Sequence, residues 1–466
     1  MRARDNLSQL ANRVGNGNKR VVKPGLSSIN PVRLIPALFL FAILLGTMVL
    51  SLPIARVGPG GAPLLTALFT ATSAVAVTGH IVVDTATYWT PFGQAAILLM
   101  IQIGGFGIVT AAVLLGMLAG RDFRLRDRMT THAERNRPTG VDTRSVLLLG
   151  LFVTLLIEGM VGIVLAIHLF SFYDEPAGTA LWNGIFHSVS AFNNAGFSTY
   201  PDNLMRFQSD PVMLIAIMLA VVVASLGFPV LQELRTRNWN KASWSLHAKM
   251  TLVGTAVLLL GGWIAIAATE WTNPATLGPM SAGDKLLNSA FHSAIPRTAG
   301  FNSLPVADFR IETLFLNYVL MFIGGGSAGT AGGIKVTTFF LLLLAVWSEI
   351  RGRRDVTFQG RRVSQRLERQ ALAVTMIAAM LISVGTLILL ATTPLRLVDC
   401  LFEVISAFST VGLSTGITAG LPPVAQLTLV ALMFIGRVGT ITVATALALS
   451  VSRKPIRYPE ENPLVG

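Results

Sequence analysis

Four short stretches of the sequence carry a glycine near their end and resemble one another in residue type. They read FTATSAVAVTGH at 69–80, FHSVSAFNNAGFS at 186–198, FHSAIPRTAGFNS at 291–303 and FEVISAFSTVGLS at 402–414. The glycines, and then the residues six positions before them, are Gly79, Gly196, Gly300 and Gly412, and Ser73, Ser190, Ala294 and Ser406. Because glycine permits positive φ angles and close backbone approach, this pattern indicates four loops with one common backbone function.

Four such loops around one axis would suit a dehydrated cation. A ring of backbone carbonyls replaces the hydration shell without fixed charge, and a half-helix before each loop points its negative C-terminal end at the ion. We predict that each loop contributes its glycine and the two residues before it to a filter: Val77, Thr78, Gly79, Asn194, Ala195, Gly196, Thr298, Ala299, Gly300, Thr410, Val411 and Gly412. The alternative, four ordinary helix C-caps in outer loops, does not explain why serine recurs upstream.

Composition places these loops in a membrane. Of 466 residues, 52% are apolar and 13% charged, with a mean hydropathy of +0.64, whereas soluble domains carry about 25% charged residues. Eight apolar segments approach spanning length, at roughly 33–54, 91–119, 145–171, 211–232, 250–270, 312–348, 371–392 and 425–451. Shorter apolar stretches at 62–77, 180–192, 285–295 and 397–408 read as re-entrant half-helices.

The charge pattern assigns the two sides of the membrane. The net charge is +13, and 28 of the 36 Lys and Arg residues fall in the two tails and in three loops between spans. Basic residues mark cytoplasmic segments, so both termini are predicted to be cytoplasmic. The same distribution speaks against binding of nucleic acid, although the basic loops would also contact anionic membrane lipid. With Cys400 as the single cysteine, no intrachain disulfide can form.

The predicted fold class is therefore an all-α polytopic membrane protein with four parallel span–pore-helix–span repeats around one central pore. The repeats cover 33–120, 144–235, 249–348 and 370–452. Between and around them we predict a basic N-terminal tail at 1–32, cytoplasmic loops at 121–143, 236–248 and 349–369, and a C-terminal tail at 453–466.

The sixth span is interrupted by a run of small residues. These are Gly324, Gly325, Gly326, Ser327, Ala328, Gly329, Thr330, Ala331, Gly332 and Gly333, followed at one remove by Lys335. Each glycine costs a helix roughly 1 kcal/mol relative to alanine, so a continuous helix is unfavourable here. We predict a flexible gate loop at 324–335 below the filter. The alternatives are close helix packing for the glycines, and snorkelling or a tether to carbonyl oxygens for Lys335.

Four ionisable residues stand out within apolar surroundings. Arg437 lies mid-span, where a cation faces a cavity or a partner; we predict a positive barrier in the pore, or alternatively a pair with Glu403 or Glu158. His80 follows Gly79 and is interpreted as a polar residue lining the mouth, or else as a source of pH sensitivity. Glu158 and His168 are assigned to packing or to the repeat interface, with ion coupling as the alternative.

These motifs resemble the superfamily of K⁺ transporters that includes the bacterial Trk and Ktr membrane subunits and their plant and fungal relatives. NAGFS, RTAGFNS and STVGLSTG carry the resemblance, which covers about 33–455, and the span count is most similar to the Ktr subunit. The resemblance implies K⁺ bound by the filter carbonyls, a gate loop in the third repeat and an arginine barrier in the last span. In this family, serine in place of glycine at the position of Gly79 would imply Na⁺ permeation.

The resemblance also implies an assembly. A Ktr-like subunit would form a homodimer in the bacterial cytoplasmic (inner) membrane and sit on a cytosolic ring of nucleotide-binding regulatory subunits. ATP, ADP or another nucleotide would bind that partner, and this chain itself would need no cofactor. Whether flux is passive or coupled to Na⁺ or H⁺ stays open at this stage.

Three other functions compete with this prediction. A secondary transporter with a midplane site predicts inverted repeats, whereas each repeat here contains two spans and so all run parallel. An enzyme needs a nucleophile with its base, or metal ligands, and the six histidines are scattered along the chain. A Na⁺-permeable or H⁺-coupled, Trk-like member of the same superfamily is the third.

Overall fold

The computed structural model describes residues 31–107, 143–236, 244–353 and 355–439, and this part of the chain is mostly helical. The helices are α1 (Pro31–Leu50), α2 (Leu64–Val75), α3 (Thr85–Tyr88), α4 (Pro91–Gly107), α5 (Thr143–Phe172), α6 (Ala177–Phe192), α7 (Pro211–Leu226), α8 (Phe228–Thr236), α9 (Leu246–Glu270), α10 (Ala282–Ala294), α11 (Ile311–Phe322), α12 (Val336–Ile350), α13 (Gln365–Thr392), α14 (Leu397–Phe408) and α15 (Pro423–Phe434). One small antiparallel hairpin, β1 (Thr357–Phe358) and β2 (Arg361–Arg362), follows α12.

The long helices present apolar side chains outward. Phe41 on α1, Ile264 on α9 and Leu387 on α13 are each at least 65% exposed. Such a surface is stable where lipid replaces water. By length and hydropathy Leu148–Phe172, α9 and α13 can each cross a membrane among the described residues, and the bent pair α7 and α8 is a broken span or a re-entrant loop. The other apolar helices are shorter, so the full count of eight spans stays a prediction.

Four short helices occupy the positions predicted for the half-helices. They are α2, α6, α10 and α14, and their observed ends lie within three residues of the predicted ones. Proline precedes α2 and α6, while Ser281 caps α10 by accepting a hydrogen bond from the Asp284 N–H at 3.2 Å. Three of them end four residues before the loop glycine. In the third, Pro296 lies in an additional 3₁₀ turn, Ile295–Arg297, that separates α10 from Gly300.

Two predicted spans are broken rather than continuous. The break between α11 and α12 was expected from the glycine run, and Ile323 and Ile334 close its two ends with a parallel bridge. The prediction of one helix over 211–232 is wrong, because the chain bends by 89° at Gly227, where φ is +89°. That bend seats the chain against the glycine run: the Phe228 N–H donates to the Ala328 carbonyl at 3.3 Å.

Gly227 provides a test of this packing. Alanine there would carry an unfavourable φ, and its Cβ would collide with the Ser327 carbonyl oxygen. We expect Gly227→Ala to lower the free energy of unfolding by roughly 1–3 kcal/mol, seen as a lower thermal unfolding midpoint in detergent. Gly261→Ala is the control, since a Cβ at that position in α9 meets nothing within 4 Å. Equal midpoints for the two variants would contradict the packing described here.

Several predictions fall outside the described residues. They concern the basic tail up to residue 30, the second half of the 91–119 span with the loop that follows, part of the 236–248 loop, and residues from 440 onward. The last described segment, Ile435–Gly439, is π-helical and contains Arg437. π-Helical turns occur most often at functional sites, and this one carries the predicted barrier residue.

Candidate ion pathway

The four glycine loops share one unusual backbone conformation. All four glycines have positive φ, between 67° and 91°. The residue two positions earlier is also left-handed in every loop: Val77 at 54°, Asn194 at 60°, Thr298 at 110° and Thr410 at 50°. Positive φ is a genuine outlier for the three β-branched residues among these. Strain of this kind persists only where the surrounding structure imposes it, and it concentrates at functional sites.

Hydrogen bonds to the preceding helix hold each loop in this conformation. The N–H groups of Thr78, Ala195 and Val411 donate to the carbonyls of the upstream serines at 2.7, 2.7 and 2.8 Å. The hydroxyls of Ser73 and Ser406 accept from the N–H of Gly79 and Gly412, each at 3.1 Å. This accounts for the recurring serine. In the third loop, where Ala294 lacks a hydroxyl, the Ala299 N–H donates to the Ile295 carbonyl at 2.9 Å.

The four loops meet in a closed ring. A Cβ on Gly196 would lie 2.6 Å from the Ala299 carbonyl oxygen, and one on Gly300 would lie 2.5 Å from the Val411 carbonyl oxygen. A Cβ on Gly79 would collide with the Ala195 carbonyl oxygen, and one on Gly412 with that of Thr78. Each glycine therefore faces the residue before the glycine of the next loop. The Cβ position on Gly300 would also lie 3.3 Å from Gly196 Cα and from the Thr78 carbonyl oxygen, so all four loops meet there.

Three side-chain oxygens of the glycine loops are buried without a hydrogen-bond partner among the described residues. Thr78 Oγ1, Thr410 Oγ1 and Asn194 Oδ1 are buried and have no hydrogen-bond partner in the described part of the chain. Buried polar atoms normally find a partner, and those that do not call for an ion or water. Hard oxygen atoms are the ligands that an alkali cation accepts.

The segment between α11 and α12, residues 323–335, packs directly against this ring. Asn194 Nδ2 donates to Thr330 Oγ1 at 3.0 Å, and a Cβ on Gly332 would lie 2.6 Å from the Ser409 carbonyl oxygen. The segment is fastened to α7 by the Gly326 N–H, which donates to the Ser225 carbonyl at 2.7 Å. The predicted gate loop therefore lies next to the second and fourth filter loops.

Two cations, the half-buried Lys335 and the buried Arg437, hold this segment by its carbonyl oxygens. Lys335 Nζ donates to the Ala331 carbonyl, and Arg437 Nη1 donates to the Thr330 carbonyl, both at 2.5 Å. Arg437 is 2% exposed, and its Nε and Nη2 have no hydrogen-bond partner within the described residues. Lys335 is thus tethered to a carbonyl. The alternative pairing of Arg437 with Glu403 or Glu158 is wrong, since both carboxylates have other partners.

The other polar residues of the sequence analysis have clear places. Glu158 accepts from Asn193 Nδ2 at 3.0 Å and from Gln102 Nε2 at 3.2 Å, at the interface of the first two repeats. His168 Nε2 lies 2.6 Å from Asp210 Oδ2, the residue that caps α7. The interpretation of His80 as lining the mouth is wrong: it is 1% exposed and contacts Glu403. No local pattern in the sequence links His80 with Glu403, because they are 323 positions apart.

Comparison with known proteins gives consistent matches along the chain. The family model described as "TrkH: Cation transport protein" matches residues 51–454. The "Ktr system potassium uptake protein B" of Bacillus subtilis is 39% identical over 429 residues, covering 92% of this chain and 95% of that protein. The "Potassium/sodium uptake protein NtpJ" of Enterococcus hirae is 34% identical, covering 94% of this chain and 98% of that protein.

A solved structure has the same fold. The crystal structure of the potassium transporter TrkH from Vibrio parahaemolyticus superposes with a TM-score of 0.70 and covers 92% of this chain and 86% of that one. The two sequences are 18% identical, so this likeness bears on the fold alone.

Proposed function

Because the chain belongs to the TrkH family of cation transport proteins, we propose that it is the ion-translocating subunit of a bacterial potassium-uptake system of the Ktr and Trk type. Like its relatives, it is a membrane transport protein and not an enzyme. Potassium is the cargo named for the Bacillus subtilis relative, which matches this chain along nearly its whole length.

The ring of four strained loops carries the proposal. Two left-handed residues in each loop, separated by one, turn successive peptide groups over, so that several carbonyl oxygens of one loop can face the same side. Four such loops converging on one point would supply a cage of oxygens for K⁺ at Val77–Gly79, Asn194–Gly196, Thr298–Gly300 and Thr410–Gly412. Glycine at all four ring positions leaves the backbone free to approach.

The segment below the ring would be the gate. It contacts two filter loops and is held by Lys335 and Arg437, whose charges would oppose a cation. Arg437 would thus be the pore barrier, released when the segment moves. Its many glycines and its bond to the bent α7 support a segment that changes position as a unit.

The finer architecture follows from the same proposal. Four parallel repeats with eight spans and four re-entrant loops would surround one pore, with both termini cytoplasmic in the bacterial inner membrane. The basic loops would dock a cytosolic nucleotide-binding partner, and two copies of the chain would form a dimer. Na⁺ is the alternative or coupling ion, favoured by the Enterococcus hirae relative, whose name includes sodium.

The test is uptake of ⁸⁶Rb⁺ by proteoliposomes containing the purified chain, with K⁺ or Na⁺ as competitor. We expect K⁺ to compete at least about tenfold better than Na⁺, because the cage fits the larger ion. A variant lacking residues 325–332 is measured in parallel, since it should conduct faster in the absence of a partner. Equal competition by both ions would favour the Na⁺-permeable alternative, and no uptake by either protein would contradict the pore.

A further inference from the structure

A buried histidine–carboxylate contact joins the first filter loop to the fourth half-helix. His80 directly follows Gly79, and Glu403 lies on α14, nine residues before Gly412. His80 Nε2 is 2.8 Å from Glu403 Oε2, and both side chains are completely buried. They are 323 positions apart in the sequence, so only the closed ring brings them together.

The same carboxylate also holds the chain that follows Gly412. Glu403 Oε1 accepts from the Ser414 hydroxyl and, at 3.2 Å, from the Thr415 N–H. Glu403 Oε2 accepts from the Thr418 hydroxyl at 3.0 Å. One side chain therefore fixes the exit of the fourth loop and, through His80, the exit of the first. Buried carboxylates are stable only when satisfied in this way.

The His80–Glu403 pair lies where the ring closes between the fourth and first loops. The first and fourth loops are neighbours in the ring but not consecutive along the chain, so no connecting segment joins them directly. Where the second and third loops meet, a main-chain bond runs from the Leu204 N–H to the Asn302 carbonyl at 3.1 Å. His187, in register with Glu403, there meets Phe301, in register with His80, with ring centroids 6.3 Å apart.

We propose that His80 and Glu403 are positioning residues that set the width of the filter where the fourth and first loops meet, and thereby determine cation selectivity. The inference rests on the proposed filter. Gly412 faces Thr78 across this seam, and each glycine exit is anchored by one partner of the pair. If His80 is lost, the carboxylate is left buried with one partner fewer, and the two exits are no longer tied. The seam then widens, and the cage loses its fit to the larger ion.

The experiment compares the ratio of K⁺ to Na⁺ competition against ⁸⁶Rb⁺ uptake in His80→Phe with that of the unmodified protein. Phenylalanine follows the glycine in the second and third loops. We expect the ratio to fall about tenfold, because phenylalanine at position 80 cannot bond to Glu403 and the exits of the first and fourth loops are no longer tied. Glu403→Gln should give a smaller fall, since the amide oxygen can still accept from Ser414 and Thr415 while its NH₂ can donate to an unprotonated His80 Nε2. His168→Phe is the control: it removes a partly buried His–carboxylate contact at the start of α7 and should leave the ratio unchanged.

A double variant separates positioning from mere stability. His80→Phe with Glu403→His recreates the Phe301–His187 contact at this seam and should restore the ratio to within about threefold of the starting value. Thermal midpoints of all variants are measured alongside. An unchanged ratio in a folded His80→Phe would overturn the inference, as would loss of K⁺ and Na⁺ transport in equal proportion. If the unmodified protein itself does not discriminate, the proposed function fails instead.

Discussion

Serine in place of Gly79 is expected to remove most of the discrimination between K⁺ and Na⁺. Gly79 has a φ of +91°, a region in which an L residue costs roughly 1–2 kcal/mol. Its Cβ would also occupy the space of the Ala195 carbonyl oxygen in the next loop. The first and second loops must then move apart, which widens the cage for the smaller, more strongly hydrated ion. We expect the K⁺/Na⁺ competition ratio against ⁸⁶Rb⁺ to fall about tenfold or more.

Gly58 provides the matched control for this variant. It has a similar backbone strain, with a φ of +99°, but it is exposed between α1 and α2 and a Cβ there meets no atom within 4 Å. Gly58→Ser therefore adds the same side chain at an unfavourable φ without a collision. We expect its competition ratio to equal that of the unmodified protein. A Gly79→Ser protein that still discriminates, or a Gly58→Ser protein that loses discrimination equally, would take Gly79 out of the filter.

The half-helices and their glycines could be predicted from the sequence because each is a local pattern. The length of a short apolar stretch and the glycine that follows it predict where the half-helix begins and ends. The predicted 397–408 therefore agrees with α14 residue for residue. The left-handed conformation of Val77, Thr298 and Thr410 could not be predicted, since β-branched residues avoid it. It is imposed by the bonds from each loop to its helix and by the neighbouring loops.

The contacts between residues far apart in the sequence could likewise not be predicted. A carboxylate partner was only the alternative to the predicted pore barrier for Arg437, and the structure gives Arg437 a carbonyl oxygen instead, because the segment 323–335 leaves its own carbonyls without helical partners. Glu403 instead contacts His80, and no periodicity in the sequence indicates that pairing. The single Gly227 was too weak a signal against an otherwise apolar run to predict the 89° bend.

Neutralising Arg437 or Lys335 is expected to raise the flux of K⁺ through the protein in the absence of any partner. Arg437 is buried and Lys335 half-buried, and they hold adjacent carbonyls of the segment that packs against the filter loops. A unit charge about 8 Å from a permeating ion opposes it by roughly 2 kcal/mol at an effective dielectric constant of about 20. Removing it should therefore speed entry by about tenfold or more, and it also unties the segment that contacts Asn194.

The measurement is the initial rate of ⁸⁶Rb⁺ uptake for Arg437→Met, Lys335→Met and the double variant. Because both cations fasten the same segment, their effects should be less than additive: once one tether is gone the segment is already loosened, and removal of the second adds less. Lys285→Met is the control, since Lys285 Nζ also donates to a carbonyl, that of Trp271 at 3.0 Å, but at an exposed site away from the ring. Folded Arg437→Met and Lys335→Met proteins with unchanged or lower uptake would show that these cations support the structure without opposing the ion.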